Sequence, residues 1–228
     1  MSLPGVIAVV GCDGAGKSTL CTDLIAAFGA PGRVEFLYLG QSSGNIATAI
    51  RSLPLVGPAI GRYLLRRSAR AHQQAAQPPD TLTAVVIHLL SQWRAHKFRR
   101  LLALSRRGVV VIADRYPQAE MPGFYFDGPG LDPGQTSGWL PRWLAARELR
   151  LYQWMASHVP ALVIRLNIDA ATAHARKPDH KLTMLQDKVR VIPGLHFNGA
   201  RTLELDATDP YPQVLARARQ AVEAIVIS

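Results

Sequence analysis

The chain has 228 residues, 48% of them of apolar type, which fits one α/β domain or one domain with a small insertion. Lysine and arginine number 26 against 16 acids, a formal charge of +10, yet no RNA- or DNA-binding motif accompanies the charge and no aromatics interleave with it, so nucleic acid is not expected as a partner. No apolar run nears the roughly 20 residues that span a bilayer. Met1 to Gly5 leads straight into a strand-like run with no signal peptide, and Cys12 and Cys21 form no metal or CxxC spacing, so a reduced cytoplasmic setting is expected.

In chain order, Val6 to Val10 predicts the first strand. Directly behind it stands Gly11-Cys12-Asp13-Gly14-Ala15-Gly16-Lys17-Ser18, and Thr19 to Phe28 predicts a helix with Leu20, Leu24 and Ile25 on one side, ended by Ala30-Pro31-Gly32. Val34 to Leu39 predicts the second strand. Gly, Ser and Pro break Gln41 to Asp80 into a loop and one basic helical piece, Ile60 to Gln77. Thr81 to Arg106 predicts one long helix. Val109 to Asp114, apolar until its final acid, suits a central buried strand. Tyr116 to Gly138 is a Pro- and Gly-rich loop, and loops of that length in compact domains are usually functional or mobile. Helix Leu140 to Ser157, strand Ala161 to Asn167, short helix Ala170 to Lys177 and helix Leu182 to Val191 follow, then strand Thr202 to Leu205 and a helix from Pro212 to Ile227. This alternation predicts an α/β fold, a five-stranded parallel sheet flanked by helices, in a single domain over residues 1–228.

The stretch from Gly11 to Ser18 is a P-loop in its required setting of strand, loop and helix. Gly11, Gly14 and Gly16 let backbone N–H groups turn inward onto phosphate oxygens, so Gly11, Cys12, Asp13, Gly14, Ala15, Gly16, Lys17, Ser18 and Thr19 are expected to bind nucleotide. Lys17 would reach the β- and γ-phosphates and the Ser18 hydroxyl would coordinate Mg²⁺. Asp114 falls at the carboxyl end of its strand, the edge where α/β sheets hold ligands. There it can share Mg²⁺ with Ser18, or else cap a turn or pair with Arg115. Arg115 offers a planar fork for phosphate, or a structural ion pair with Asp114 or Glu120. The basic stretches Arg62 to Arg70 and Arg94 to Arg107 read as solvated helix faces or as positive potential for polyphosphate, with weak contact to an anionic membrane surface as a further use.

Gly11 to Thr19, with an acid two residues after the first P-loop glycine, together with Asp114-Arg115-Tyr116, resembles the thymidylate kinase family. Ala173-His174-Ala175-Arg176-Lys177 resembles that family's entry to its mobile LID, and Leu205-Asp206-Ala207-Thr208 followed by Val214 resembles its last strand and helix. Asp114-Arg115-Tyr116-Pro117-Gln118 and Asp127-Gly128-Pro129 look like a divergent bacterial, thymidylate kinase-like branch. The resemblance implies a P-loop NTPase fold of nucleoside monophosphate kinase type, with a short LID at 176–182 and acceptor-side segments at 41–80 and 116–138. It implies ATP and Mg²⁺ as donor and cofactor, and a nucleoside monophosphate acceptor similar to dTMP. Lys17, Asp13, Arg115 and Arg176 would then be catalytic, and Asp13, Arg94 and Arg115 would bind the acceptor. Ser18 and Asp114 would hold the metal. It also implies a homodimer packed through helices, with Thr81 to Arg106 as the candidate surface.

The residues add to this. The P-loop holds no arginine, so Arg176, Lys177 and Lys181 are natural suppliers of transition-state charge, their alternative being a solvated helix end. After Tyr116 the chain departs from the family: Pro117-Gln118-Ala119-Glu120 and Gly123 to Gly130 replace the serine-containing stretch and the Tyr-Gln pair that recognise thymidylate. Asp127 and Glu148 read as a turn residue and a helix-surface acid ahead of acceptor-hydroxyl ligands. The expected function is ATP- and Mg²⁺-dependent phosphoryl transfer to a nucleoside monophosphate. One alternative is a kinase of a nucleoside, sugar or other small hydroxyl acceptor, with Asp13 taking its proton. Others are an NTP-hydrolysing switch and a non-catalytic nucleotide-binding protein.

Overall fold

The computed structural model describes residues 1–29, 33–40, 79–123, 126–134 and 136–226. Its strands are β1 (Ser2–Gly11), β2 (Val34–Tyr38), β3 (Val110–Asp114), β4 (Val159–Asn167) and β5 (Thr202–Asp206). Among the described residues these pair in the order β2-β3-β1-β4-β5, every pair parallel. The helices are α1 (Lys17–Phe28), α2 (Thr81–Arg106), α3 (Trp139–Ala156), α4 (Ala170–Arg176), α5 (Leu182–Val191) and α6 (Tyr211–Val226). The expected α/β sheet flanked by helices is the fold observed. The helical piece expected at Ile60 to Gln77, and nearly all of segment 41–80, lie outside the described residues.

Alternation along the strands sorts the core into two halves. Ile7 and Val9 of β1, with Ile112 and Ile164, pack under Leu20 and Leu24 of α1 and Val214, Ala218 and Val222 of α6. Val6, Ala8 and Val10, with Val111, Ala113 and Val163, meet Phe98 and Leu101 of α2 and Tyr152 and Met155 of α3. Burial on both faces is why these strands read as continuous apolar runs. The order places β1 at the centre, with β3 and β4 on either side, so the turn leaving β1 opens between the carboxyl ends of its neighbours. β1 starts four residues before the apolar run, and its pairing with β4 is irregular between Leu3 and Ile7, where Gly5 has φ 77°. No described helix is long and apolar enough to cross a membrane.

Two buried side chains shape the loop after β3. Gln118 accepts from the N–H groups of Glu120 (2.6 Å) and Met121 (2.8 Å) and donates to the carbonyls of Met121 (2.7 Å) and Phe126 (3.0 Å). Glu148 corrects an expectation: it is no helix-surface acid but lies fully buried on α3, accepting from Ser91 Oγ (2.5 Å) and from the N–H groups of Gly130 (3.1 Å) and Leu131 (2.8 Å). Burial pushes its carboxyl up, against the pull of these three donors. Replacing Glu148 by alanine strands the Gly130 and Leu131 N–H groups, and is expected to cost about 3 kcal/mol in urea unfolding. Glu148→Gln, which keeps one acceptor oxygen, should fall between. Equal stability of all three proteins would mean that the loop is anchored by other groups.

Candidate functional site

β1 delivers the chain into a loop that only glycine can make at three points. A Cβ on Gly11 would sit 2.6 Å from the Leu166 carbonyl oxygen, and one on Gly14 would sit 2.8 Å from that of Ala173. Gly16 meets nothing within 4 Å but has φ 86°, a left-handed conformation suited to glycine. It is the N-cap of α1 and supplies no side chain to the first-turn N–H groups, which leaves them for an anion. The loop borders a cavity of about 590 Å³, lined also by Ser18, Thr19, Tyr38, Asp114, Arg115, Arg176, Lys177 and His180. Cys12 and Ala15 are buried and can contribute only backbone to it.

The Lys17 ammonium is buried and donates to the Cys12 carbonyl at 2.8 Å. Burial, with Arg115 beside it, pulls its pKa down to about 8. Ser18 Oγ donates to Asp114 Oδ2 at 3.1 Å, while Asp114 Oδ1 is buried with no hydrogen-bond partner among the described residues. Burial raises the Asp114 carboxyl against the pull of Lys17 and Arg115. A hydroxyl and an under-satisfied carboxylate oxygen side by side are hard oxygen donors of the kind Mg²⁺ prefers.

Arg115 does not pair with Asp114 or Glu120. Its guanidinium meets Asp13 Oδ1 at 2.6 Å and lies 3.8 Å from Asp127 Oδ2. Its backbone has φ 67°, unusual for a side chain of this size, and is held there from both sides: its N–H donates to the Val9 carbonyl (3.1 Å) and its carbonyl accepts from Arg94 Nη2 (3.0 Å). Arg94, 1% exposed on the inner face of α2, also reaches Asp127 Oδ1 at 3.2 Å. Asp13 is crowded by basic side chains. Lys188 Nζ bonds its Oδ2 and His180 Nδ1 lies 3.6 Å from the same oxygen. Burial works against the charged carboxyl, but Lys188, Arg115 and Lys17 together outweigh it and hold Asp13 far below the usual carboxylate range. Arg176 spans from the Gly14 carbonyl (3.4 Å) to that of Ala207 (3.0 Å), bridging the loop to the end of β5.

The chain is 52% identical over 220 residues to the uncharacterized ATP-binding protein YghS of Escherichia coli K12, covering 96% of this chain and 92% of that protein. It is 44% identical over 225 residues to the uncharacterized ATP-binding protein YghR of the same strain, covering 99% of this chain and 89% of that protein. The chain belongs to this YghS/YghR family. No protein-family model matches it.

In this YghS/YghR family member the structure brings together Asp13, Lys17, Ser18, Asp114, Arg115 and Arg176 around one cavity, with Arg94 behind Arg115. Lys177 lines that cavity, whereas Lys181 only opens α5. One group in the cluster escaped the sequence reading, and a second was read only in part. Lys188 shares an amphipathic stripe with Leu185 and Ile192, so a lysine at an inward position was its signal. Asp127 sits in a turn, as read, but its carboxylate binds Arg94 and approaches Arg115, which sequence separation hides. The basic stretch from Arg94 splits: Arg99, Arg100, Arg106 and Arg107 are exposed, while Arg94 is buried and Lys97 donates to the Gly40 carbonyl at 2.5 Å beside the Tyr38 ring.

Proposed function

We propose that the protein is an ATP- and Mg²⁺-dependent phosphotransferase of thymidylate kinase-like type, whose acceptor is itself a phosphate, first a nucleoside monophosphate resembling dTMP. The observation that carries this reading is the state of Asp13. Tied to Arg115 and Lys188, it is a carboxylate with almost no affinity for a proton near neutrality. A hydroxyl acceptor would need Asp13 as its base, whereas a phosphate acceptor is already anionic and needs none. The P-loop and the names of the two relatives support ATP as donor.

In this reading the loop N–H groups and Lys17 seat the donor's β- and γ-phosphates, and Ser18 and Asp114 hold the metal. Mg²⁺ bound there neutralises charge on those phosphates. Arg115 takes the acceptor phosphate on the opposite side of the same cavity, with Arg94 fixing its backbone. Arg176 leaves the Gly14 and Ala207 carbonyls to reach the donor. Catalysis is then positioning and charge stabilisation, with Arg176 the group that has to move.

ADP release with Mg²⁺-ATP and a panel of dTMP, dUMP, other monophosphates, nucleosides and sugars tests this. Turnover on monophosphates is expected, and none on any acceptor would overturn it. The Lys17 pKa of about 8 adds a pH test. Binding should favour the charged ammonium, so Mg²⁺-ATP affinity is expected to fall about tenfold per pH unit above 8, with protons taken up on binding. Calorimetry in buffers of different ionisation heat reads both, and a flat profile to pH 9.5 would remove Lys17 from the phosphates.

A further inference from the structure

Asp13 is shared by two cations that belong to different parts of the fold. Arg115, at the end of β3, holds Oδ1 at 2.6 Å, and Lys188, on α5, holds Oδ2. Lys188 is only 4% exposed, an uncommon place for an ammonium unless a partner requires it. Leu185, one turn earlier, is fully buried, and its carbonyl meets Cys12 Sγ at 3.9 Å, so this face of α5 is pressed against the P-loop. Arg115 meanwhile has its guanidinium divided between Asp13 and Asp127. An arginine so engaged takes an incoming anion only by loosening a carboxylate, and a buried carboxylate left alone is costly.

We infer that Lys188 is the positioning residue that makes Arg115 available. It stays on Asp13 when Arg115 turns to an anion, so the carboxylate is never without a cation. The inference rests on the reading of Arg115 as the acceptor-phosphate ligand. It also links the two sides of the cavity, because the contact of α5 with the P-loop is what holds Lys188 on Asp13.

The test uses inorganic phosphate as probe, titrated calorimetrically into the full chain with Mg²⁺ and the non-hydrolysable AMP-PNP at saturation. The heat that Arg115→Ala removes is the Arg115-dependent component. Lys188→Met, similar in length and uncharged, is expected to weaken that component about tenfold while AMP-PNP affinity stays within a few-fold. Asp13→Asn, in which Arg115 keeps Asp127 as its one charged competitor among the described residues, should bind phosphate at least as tightly as wild type. In the Asp13→Asn background the loss from Lys188→Met should shrink to about twofold, because the carboxylate it neutralises is gone. Wild-type phosphate affinity in Lys188→Met, weaker binding in Asp13→Asn, or no Arg115-dependent binding in wild type each overturns the inference. So does a loss that persists undiminished in the double variant, since that marks a merely structural α5 contact. Failure of the kinase reading shows separately, as no ADP formed with any monophosphate while the phosphate titration still responds to Lys188.

Discussion

Lys17→Met is expected to remove nearly all phosphoryl transfer, about 10²–10³-fold or more in kcat, while leaving the fold at least as stable as before. The two halves of that result come from the same geometry. The ammonium is buried, and its fall from the ordinary 10.5 to about 8 says that the folded chain holds this charge at a cost of about 3 kcal/mol near neutral pH. Methionine fills the same space without the charge, and the Cys12 carbonyl that loses Lys17 still accepts from the Ala15 N–H at 3.3 Å. The sign also holds across pH. Because the folded pKa is lowered, the unfolded chain binds more protons between about 8 and 10.5, so wild-type stability rises with pH over that window and the variant should lack the rise. Urea unfolding at pH 7 and 10 reads stability, and ADP release reads turnover. Activity within a few-fold of wild type would sink the assignment of this loop.

What the sequence reveals of this site depends on whether its chemistry is consecutive or assembled. Gly11 to Thr19 reads directly, because strand, loop and helix follow one another; the structure adds close approaches of Gly11 to Leu166 and of Gly14 to Ala173, and a left-handed backbone at Gly16. Asp114 reads nearly as well, since a β-branched run ending in an acid can end at only one edge of a parallel sheet. Arg115 was legible as a residue but not as a geometry: its partners, Asp13 and Asp127, lie 102 and 12 positions away, and nothing local announces its positive φ. Lys188 and Glu148 were the hardest. Both are charged residues on the inner faces of helices, and a charge at such a place can be priced only once its partner is known. The same holds for Arg94, where the family resemblance proposed a role on the acceptor and the structure places the side chain on the carbonyl of Arg115.

Arg115 permits the sharpest separation of chemistry from architecture. Removing its guanidinium is expected to lower kcat/KM for the acceptor about 10²–10³-fold with Mg²⁺-ATP affinity changed only a few-fold, because the proposed reading gives this charge to the acceptor while the P-loop keeps Lys17 and its N–H groups. A structural role would give loss of activity as well, since Asp13 and Asp127 would each be left with one cation fewer. The positive φ of 67° tells these apart. Alanine and glycine both delete the side chain, but only glycine is at ease in this conformation, so Arg115→Gly should be more stable than Arg115→Ala by about 1 kcal/mol. If the guanidinium acts on the acceptor, the two variants lose activity equally despite that difference in stability. If Arg115 serves only to hold the backbone turn between Val9 and Arg94, activity should follow stability and glycine should recover part of it. Lysine at the same position keeps charge but not the planar fork, and should restore acceptor binding in part. Activity that ranks Gly above Ala would therefore move Arg115 from the reaction to the scaffold, and the phosphate acceptor would lose its ligand.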